Sequence, residues 1–412
     1  MFDICHGCRM CFKFCDSFPA LFDLADQNHG GDARALGEAE TARVMDACFQ
    51  CKLCEVQCPY TPRDAHAFQL DFPKLVHRWK AVRAKRRGLS FRERVLGDPD
   101  LTGRAARASL GLANALARFP PHRWLLEKVL GVHRKKELPP FASTTFERWA
   151  EREGRIRGEA GGEAVLFPTC FVQNNEPELG RDTLFVLETN GIDVRCARGL
   201  ACCGMPAWER GDLAELRSRA SATLDALDPF VARGAKVVAI NPTCSMMMRR
   251  EWPTLLEGQD RTRAERLAKL VVDPSELLWS IRDEPRFAAS VKSKPQGKIA
   301  CHAPCHLRAQ AIGFRSRDLF RKLFGAPLAL VSECSGHDGT FAMTVEGYEP
   351  SQRVGRKAFE EMRDAGASLC ASECPLAAMQ FREHAGLDVR HPMTILARAY
   401  RGGPFPAAEA TA

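Results

Sequence analysis

Eight cysteines in the first sixty residues stand at spacings that do one kind of chemistry well. Cys48, Cys51, Cys54 and Cys58 are separated by two, two and three residues and followed by Pro59, and Cys5, Cys8, Cys11 and Cys15 repeat that spacing without the proline. This is the run that holds [4Fe–4S] clusters in bacterial ferredoxins: three close thiolates take three corners of one cube, and the fourth reaches the neighbouring cube. The expectation is crossed ligation, with Cys5, Cys8, Cys11 and Cys58 on one cluster and Cys48, Cys51, Cys54 and Cys15 on the other. Zinc sites pair two Cys-x2-Cys units and do not use a run of four. Such clusters pass electrons one at a time. His6, between two of the cysteines, is expected to tune its cluster rather than bind it.

After a cysteine-free interval from Pro59 to Thr169, a second set begins. Cys170, Cys202-Cys203-Gly204 and Cys244 form one constellation. Adjacent thiolates cannot easily close on a single tetrahedral metal, but they can span neighbouring irons, and the glycine permits positive φ or close backbone approach. Cys202 and Cys203 are the candidate redox-active pair. Cys305, Cys334 and Cys374 form a second, thinner constellation in which the paired motif reads Cys334-Ser335-Gly336-His337-Asp338-Gly339. His306, His337 and Asp338 stand beside it, to complete a cluster, hold a different iron centre or transfer protons; His337 and Asp338 are carried forward as catalytic candidates. The alternative is a degenerate site without metal. Cys301 and Cys370 each lie four residues before one of these thiols, and on an extended strand such positions share a face. They are read as replacement ligands, a redox pair or buried spectators, and Cys196 as structural.

The elements that must position these residues follow a repeat. Short β-branched runs at Glu163–Phe167, Ile192–Arg195 and Lys236–Ile240 alternate with helical stretches at Gly180–Thr189 and Asp212–Ala232. The order recurs with runs at Lys298–Cys301, Leu328–Val331 and Ser368–Ala371 and helical stretches at Ser316–Leu323 and Ser351–Asp364. Strands alternating with helices predict parallel sheets. The cysteines fall just past strand carboxyl ends, where such sheets collect ligands. The fold class expected is α+β overall: a helical ferredoxin-type domain at 1–80, a basic helical connector at 81–160, and two duplicated α/β Cys-Cys-Gly lobes at 161–290 and 291–405. Pro139-Pro140 and the glycines of Gly154–Gly162 mark the boundary before the lobes.

Composition narrows the function classes. Eighteen cysteines in 412 residues without an export signal point to metal or redox chemistry in a reducing compartment. The expected location is therefore cytoplasmic, or peripheral at the inner face of the membrane. No run of apolar residues is long enough to span a bilayer. Nine Lys or Arg residues against one acid, Glu93, lie between Lys74 and Arg94. That run is one solvated helical face or a surface for acidic partners and lipid, with Trp79 and Phe91 suited to a membrane. No dinucleotide fingerprint or P-loop is present, so a flavin or nicotinamide would sit on a partner. Nucleic acid is not expected as a partner, since no module for it is recognisable.

The Cys-Cys-Gly motif carries a family resemblance. With Thr145-Phe146-Glu147-Arg148-Trp149, Cys170-Phe171-Val172, Cys202-Cys203-Gly204-Met205-Pro206, Pro304-Cys305-His306 and His391-Pro392-Met393-Thr394-Ile395-Leu396, the chain resembles the iron–sulfur proteins related to the B-subunit of heterodisulfide reductase. These include the iron–sulfur subunits of anaerobic glycerol-3-phosphate dehydrogenase (its C-subunit) and glycolate oxidase, and lactate-utilisation proteins. The resemblance implies two amino-terminal [4Fe–4S] clusters, one further iron–sulfur cluster on Cys170, Cys202, Cys203 and Cys244, and a second iron centre at Cys305, Cys334 and Cys374. The sequence departs from the full reductase pattern at Met247, Ser335 and Ala377, where cysteines are replaced. The implied function is an electron-transfer subunit, active with a partner, between a flavoprotein dehydrogenase and quinone or a protein acceptor. Disulfide or persulfide reduction, and electron donation to a rubrerythrin-type iron peroxidase, are the alternatives.

Overall fold

A computed structural model describes residues 1–156 and 161–405; part of the glycine-rich boundary expected at Gly154–Gly162 lies outside the described residues. The chain is α+β. A helical amino-terminal region is followed by two α/β lobes, each built on one four-stranded parallel sheet. The first sheet comprises β1 (Ala164–Phe167), β2 (Val194–Cys196), β3 (Lys236–Ala239) and β4 (Val271–Val272); the second comprises β5 (Ile299–His302), β6 (Leu328–Val331), β7 (Leu369–Ser372) and β8 (Val389–Arg390). Their spatial orders, β2-β1-β3-β4 and β6-β5-β7-β8, are the same topology twice. The fourth strand of each sheet has two residues, too short for a period to register in the sequence.

The strands form where they do because they are buried on both faces. Every residue of β1, β5 and β7 is buried, which selects apolar runs, and the polar ends of β5 and β7, His302 and Ser372, meet each other at 3.0 Å. Helices such as Pro177–Thr189 and Leu213–Val231 cover them, the first starting on a proline whose missing N–H costs nothing at that position. One apolar core runs through both lobes: Leu166 and Leu187 of the first pack in the same cluster as Ile299, Leu319 and Leu396 of the second. Tyr400 ties the seam, its hydroxyl donating to the Ala288 carbonyl at 2.9 Å.

Ahead of the lobes, helices Ser17–His29 and Glu38–Asp46 pack around Phe18, Leu21, Val44 and Val76, and the eight amino-terminal cysteines lie in the short helices Phe2–Cys8 and Leu53–Gln57 and in the connections beside them. Helix Phe72–Arg87 packs on this region and on the first lobe, and helices Phe91–Leu96, Pro99–Ala108, Leu112–Leu116 and Pro120–Leu130 then pass over the open ends of both sheets. The amino-terminal region is bound to both lobes. Lys52 pairs with Glu251 and Glu55 with Arg250 in the first, and Asp16 pairs with Arg353 in the second. A π-helical turn over Met247–Glu251 aims Arg250 and Glu251 at these partners.

Candidate functional site: a thiol-lined chamber

The carboxyl ends of both sheets open on one chamber of about 580 Å³. Cys170 follows β1, Cys202 and Cys203 follow β2, and Cys244 follows β3; Cys305, Cys334 and Cys374 follow β5, β6 and β7. All seven line the chamber, and so does Cys51 of the amino-terminal region. The expectation that both constellations collect at strand carboxyl ends is thus met by a single space rather than two.

Within it the first-lobe thiols form a chain of neighbours. Cys202 accepts hydrogen bonds from the Cys170 and Cys203 thiols, which holds it well below the usual thiol range, while Cys170 is raised by that same contact and by burial. Cys203 also meets Cys244. The paired loop is held from behind: Asp100 of the overlying helix accepts from the Cys202 N–H at 3.3 Å and from Arg219 at 2.8 Å, and the Trp252 indole donates to the Cys203 carbonyl at 3.0 Å. Gly204 has φ 85°, the left-handed conformation its position after two cysteines suggests. Thr169 has φ 70°, a conformation a β-branched residue seldom adopts, and it turns the chain immediately before Cys170.

The second-lobe thiols continue the chain in both directions. Cys374 lies near Cys244, and Cys305 near Cys334 and Cys374; Cys51 lies near Cys305 and Cys334. Beyond Cys51 the amino-terminal cysteines fall into two groups. Cys15, Cys48, Cys51 and Cys54 neighbour one another, as do Cys5, Cys8, Cys11 and Cys58, and Cys54 stands beside both groups.

These donors fit iron–sulfur clusters. Burial pushes the Cys5 thiol up to about 12 and Cys48 and Cys334 up to about 11, so as thiolates they need a compensating cation beside them. Among the described residues no three Cys, His, Asp or Glu side chains converge closely enough to hold a single ion. Backbone N–H groups also point at sulfur two residues back: Gln50 at Cys48 (3.5 Å), Tyr60 at Cys58 (3.4 Å) and Gly336 at Cys334 (3.3 Å). Such bonds set cluster potentials.

The histidines and acids sort differently from expectation. His306 is not free to bind metal: its Nε2–H donates to the Gln50 carbonyl at 3.2 Å and its Nδ1 accepts from the Thr243 hydroxyl at 2.9 Å. It is a joint among the amino-terminal region and both lobes. His337 and Asp338 do line the chamber; His337 Nδ1 has no partner, and burial lowers its imidazole to about 3. His6 contacts Asp26 at 2.8 Å.

Two readings are corrected. Cys301 and Cys370 cannot form a redox pair, because β5 and β7 are in register with Cys301 opposite Ala371 and Ala300 opposite Cys370. Side chains alternate across a strand, so the two sulfurs lie on opposite faces of the sheet, Cys301 in the inter-lobe core and Cys370 in the outer one. Nor do they share a strand face with Cys305 or Cys374, since Cys305 begins a helix and Cys374 caps the next. The basic run is not one solvated face either. Lys74, Arg78, Lys85 and Arg86 are exposed, but Lys80 faces inward toward Asp338, and Trp79 packs on the amino-terminal core. The sequence offered no signal for Glu209, which also lines the chamber.

A fold with these two sheets, two thiol constellations and an eight-cysteine helical region defines an iron–sulfur protein of the cysteine-rich-domain class. Known proteins agree with that assignment. Residues 164–249 and 299–382 each match a cysteine-rich domain, abbreviated CCG, and residues 4–61 match a 4Fe-4S dicluster domain. The chain thus carries two CCG cysteine-rich domains behind a 4Fe-4S dicluster domain. It is 28% identical to the C-subunit of anaerobic glycerol-3-phosphate dehydrogenase of Escherichia coli strain K12 over 312 residues, 75% of this chain and 77% of that one. It is 26% identical to lactate utilization protein A of Bacillus pumilus over 212 residues, 51% of this chain and 86% of that one. With lactate utilization protein A of an Exiguobacterium strain it shares 29% over 185 residues, 43% of this chain and 73% of that one.

Proposed function

We propose that the chain is the electron-transfer subunit of an oxidoreductase, taking electrons from a flavoprotein dehydrogenase and delivering them in the chamber to quinone or to a protein acceptor. The observation that carries this reading is the unbroken sequence of neighbouring thiols from Cys5 to Cys170. Cys5, Cys8, Cys11 and Cys58 hold one [4Fe–4S] cluster and Cys15, Cys48, Cys51 and Cys54 a second; Cys170, Cys202, Cys203 and Cys244 hold a further cluster, and Cys305, Cys334 and Cys374 an iron centre. When bound, these groups supply one-electron carriers. The order along the chain makes the second lobe the middle of the route and the first lobe its end. On this reading the working units are 1–80, 81–160, 161–290 and 291–405.

Peripheral contact with a membrane is part of the proposal. Among the described residues no helix is long and apolar enough to cross one. The overlying helices, however, expose Phe91, Leu101, Leu110, Leu112, Phe119, Trp124, Leu125 and Val129 among arginines and lysines, the composition of a surface that lies on anionic lipid. Disulfide reduction is the second reading, favoured by the adjacent Cys202 and Cys203 facing open space.

Anaerobic purification with iron and sulfide counts, redox-titrated EPR and identification of co-purifying proteins tests the proposal. About twelve or more irons per chain and a flavoprotein partner are expected. About eight irons, the content of two [4Fe–4S] clusters, would remove the chamber from the route. Cys202→Ser is expected to abolish one EPR signal and leave those of the amino-terminal clusters.

A further inference from the structure

One chamber group belongs to no thiol constellation. Glu209 lies in the helix Met205–Arg210 that directly follows Cys202-Cys203-Gly204. Its carboxylate crosses to the second lobe and sits against Gly339, where an added Cβ would stand 2.1 Å from both carboxylate oxygens. Only a glycine, here at φ 50°, leaves room for it. The Thr340 N–H donates to the carboxylate, Asp338 stands beside it, and Lys80 reaches it from the helix Phe72–Arg87. Three segments distant in sequence therefore place one carboxyl group in the wall of an internal space, a costly arrangement unless it is used.

Its charge environment suits a proton carrier. Burial pushes Glu209 up to about 7; Lys80 and Arg210 pull it down, and Cys202 pushes it up. Asp338 is held well above the usual carboxylate range by burial and by Glu209. An acid whose affinity for its proton lies near neutral pH is the most effective donor there. The same chamber is lined by apolar side chains, among them Val95, Leu96, Ala105, Leu126 and Leu130 of the overlying helices, and Phe171.

We propose that Glu209 is the proton donor for an apolar, two-electron, two-proton acceptor of the quinone class bound in the chamber. The inference rests on the relay reading above and adds to it where the electrons end and what balances their charge. As the acceptor takes each electron, originating in the reduced flavin of the dehydrogenase, one of its carbonyl oxygens gains negative charge. The Glu209 O–H bond breaks and an O–H bond forms on that oxygen; the carboxylate stays beside Lys80 until water returns its proton. Two electrons and two protons convert the two carbonyls to the two hydroxyls of the hydroquinone.

The test uses the full chain with its clusters, reduced by dithionite and freed of excess. In stopped flow it is oxidised either by a short-chain benzoquinone, which needs protons, or by ferricyanide, which takes one electron and none. Glu209→Gln is expected to lower the ratio of quinone rate to ferricyanide rate about 10²-fold, the lower end of general-acid effects. It should also abolish the decline in quinone rate above about pH 7. Gly339→Ala, which displaces the carboxylate without removing it, should lower the same ratio. In the oxidised holoprotein at pH 6.5, an infrared carboxylic-acid band should disappear in Glu209→Gln. An unchanged ratio and pH profile in both variants overturns the proposal. If reduced wild-type protein is oxidised by ferricyanide but not by the quinone, the proposal falls and the relay stands. If ferricyanide fails too, the relay falls with it.

Discussion

The two lobes share a topology and a placement of cysteines, and differ in almost everything that touches charge. Gly204 and Gly336 occupy the same place in the motif and both take positive φ, 85° and 71°. Yet the first lobe keeps two adjacent thiols before its glycine, and the second has Cys334-Ser335. All five histidines of the carboxyl-terminal half, His302, His306, His337, His384 and His391, belong to the second lobe, and residues 161–290 contain none. One copy of the duplication has stayed a sulfur site; the other has become a mixed wall of sulfur, imidazole and carboxylate. The sheet fixes where a group is presented, and the loop after each strand is free to change what is presented.

The lobes should diverge most at the two glycines. A Cβ on Gly336 would lie 1.9 Å from the Ser351 carbonyl oxygen, whereas on Gly204 the nearest atom is the flexible Leu216 Cγ at 3.2 Å. Gly336→Ala should cost about 3 kcal/mol or more from overlap and left-handed strain together. Gly204→Ala should cost only the strain, about 1–2 kcal/mol. Urea denaturation of both variants measures the asymmetry; equal costs would show the two loops to be equally tight.

Acid should separate the lobes next. Burial lowers His302 and His391 to about 4 from an unfolded value of 6.5. In each the Nε2–H donates to a carbonyl and Nδ1 accepts, so the folded form is neutral. The unfolded chain then takes up protons that the folded chain refuses. Stability is fully present above about pH 6.5 and is lost as pH falls toward 4, by as much as about 3 kcal/mol per histidine. Hydrogen exchange at pH 7.5 and pH 5 should show amides of the second lobe losing protection before those of the first.

Two smaller effects bear on the same contrast. Cys203→Ser should lower the iron content of the holoprotein, while Ser335→Cys, restoring a thiol beside Gly336, should leave it unchanged or raise it. Cys301→Ser and Cys370→Ser should leave iron content and EPR spectra as they are. Each should destabilise by about 1–2 kcal/mol, the cost of a hydroxyl in an apolar setting.

Much of this architecture was legible in the sequence because it is local. The ferredoxin spacing and the runs that became β1, β3, β5, β6 and β7 each lie within a few residues of chain, and the helices began within a few residues of their expected starts. What was hidden is what depends on distance along the chain. The chamber is walled by residues from Phe49 to Met379, and no window contains it. Lys80 read as part of a surface charge run because its inward direction is fixed by packing, not by period. Glu209 follows a conspicuous motif by only a few residues, but its meaning depends on Gly339 in another lobe. The opposite faces of Cys301 and Cys370 follow from a one-residue offset in register, which pattern alone does not carry.

His306 and Lys52 have a consequence for the order in which the protein is made. The loop around Cys51 is closed by the carbonyl contact of Gln50 with His306 and by the ion pair of Lys52 with Glu251, partners 256 and 199 residues away in sequence. At about 5–20 residues per second of synthesis, that loop waits roughly 10–50 s after leaving the ribosome before its lid exists. Residues of both lobes therefore close a loop that precedes them in the chain.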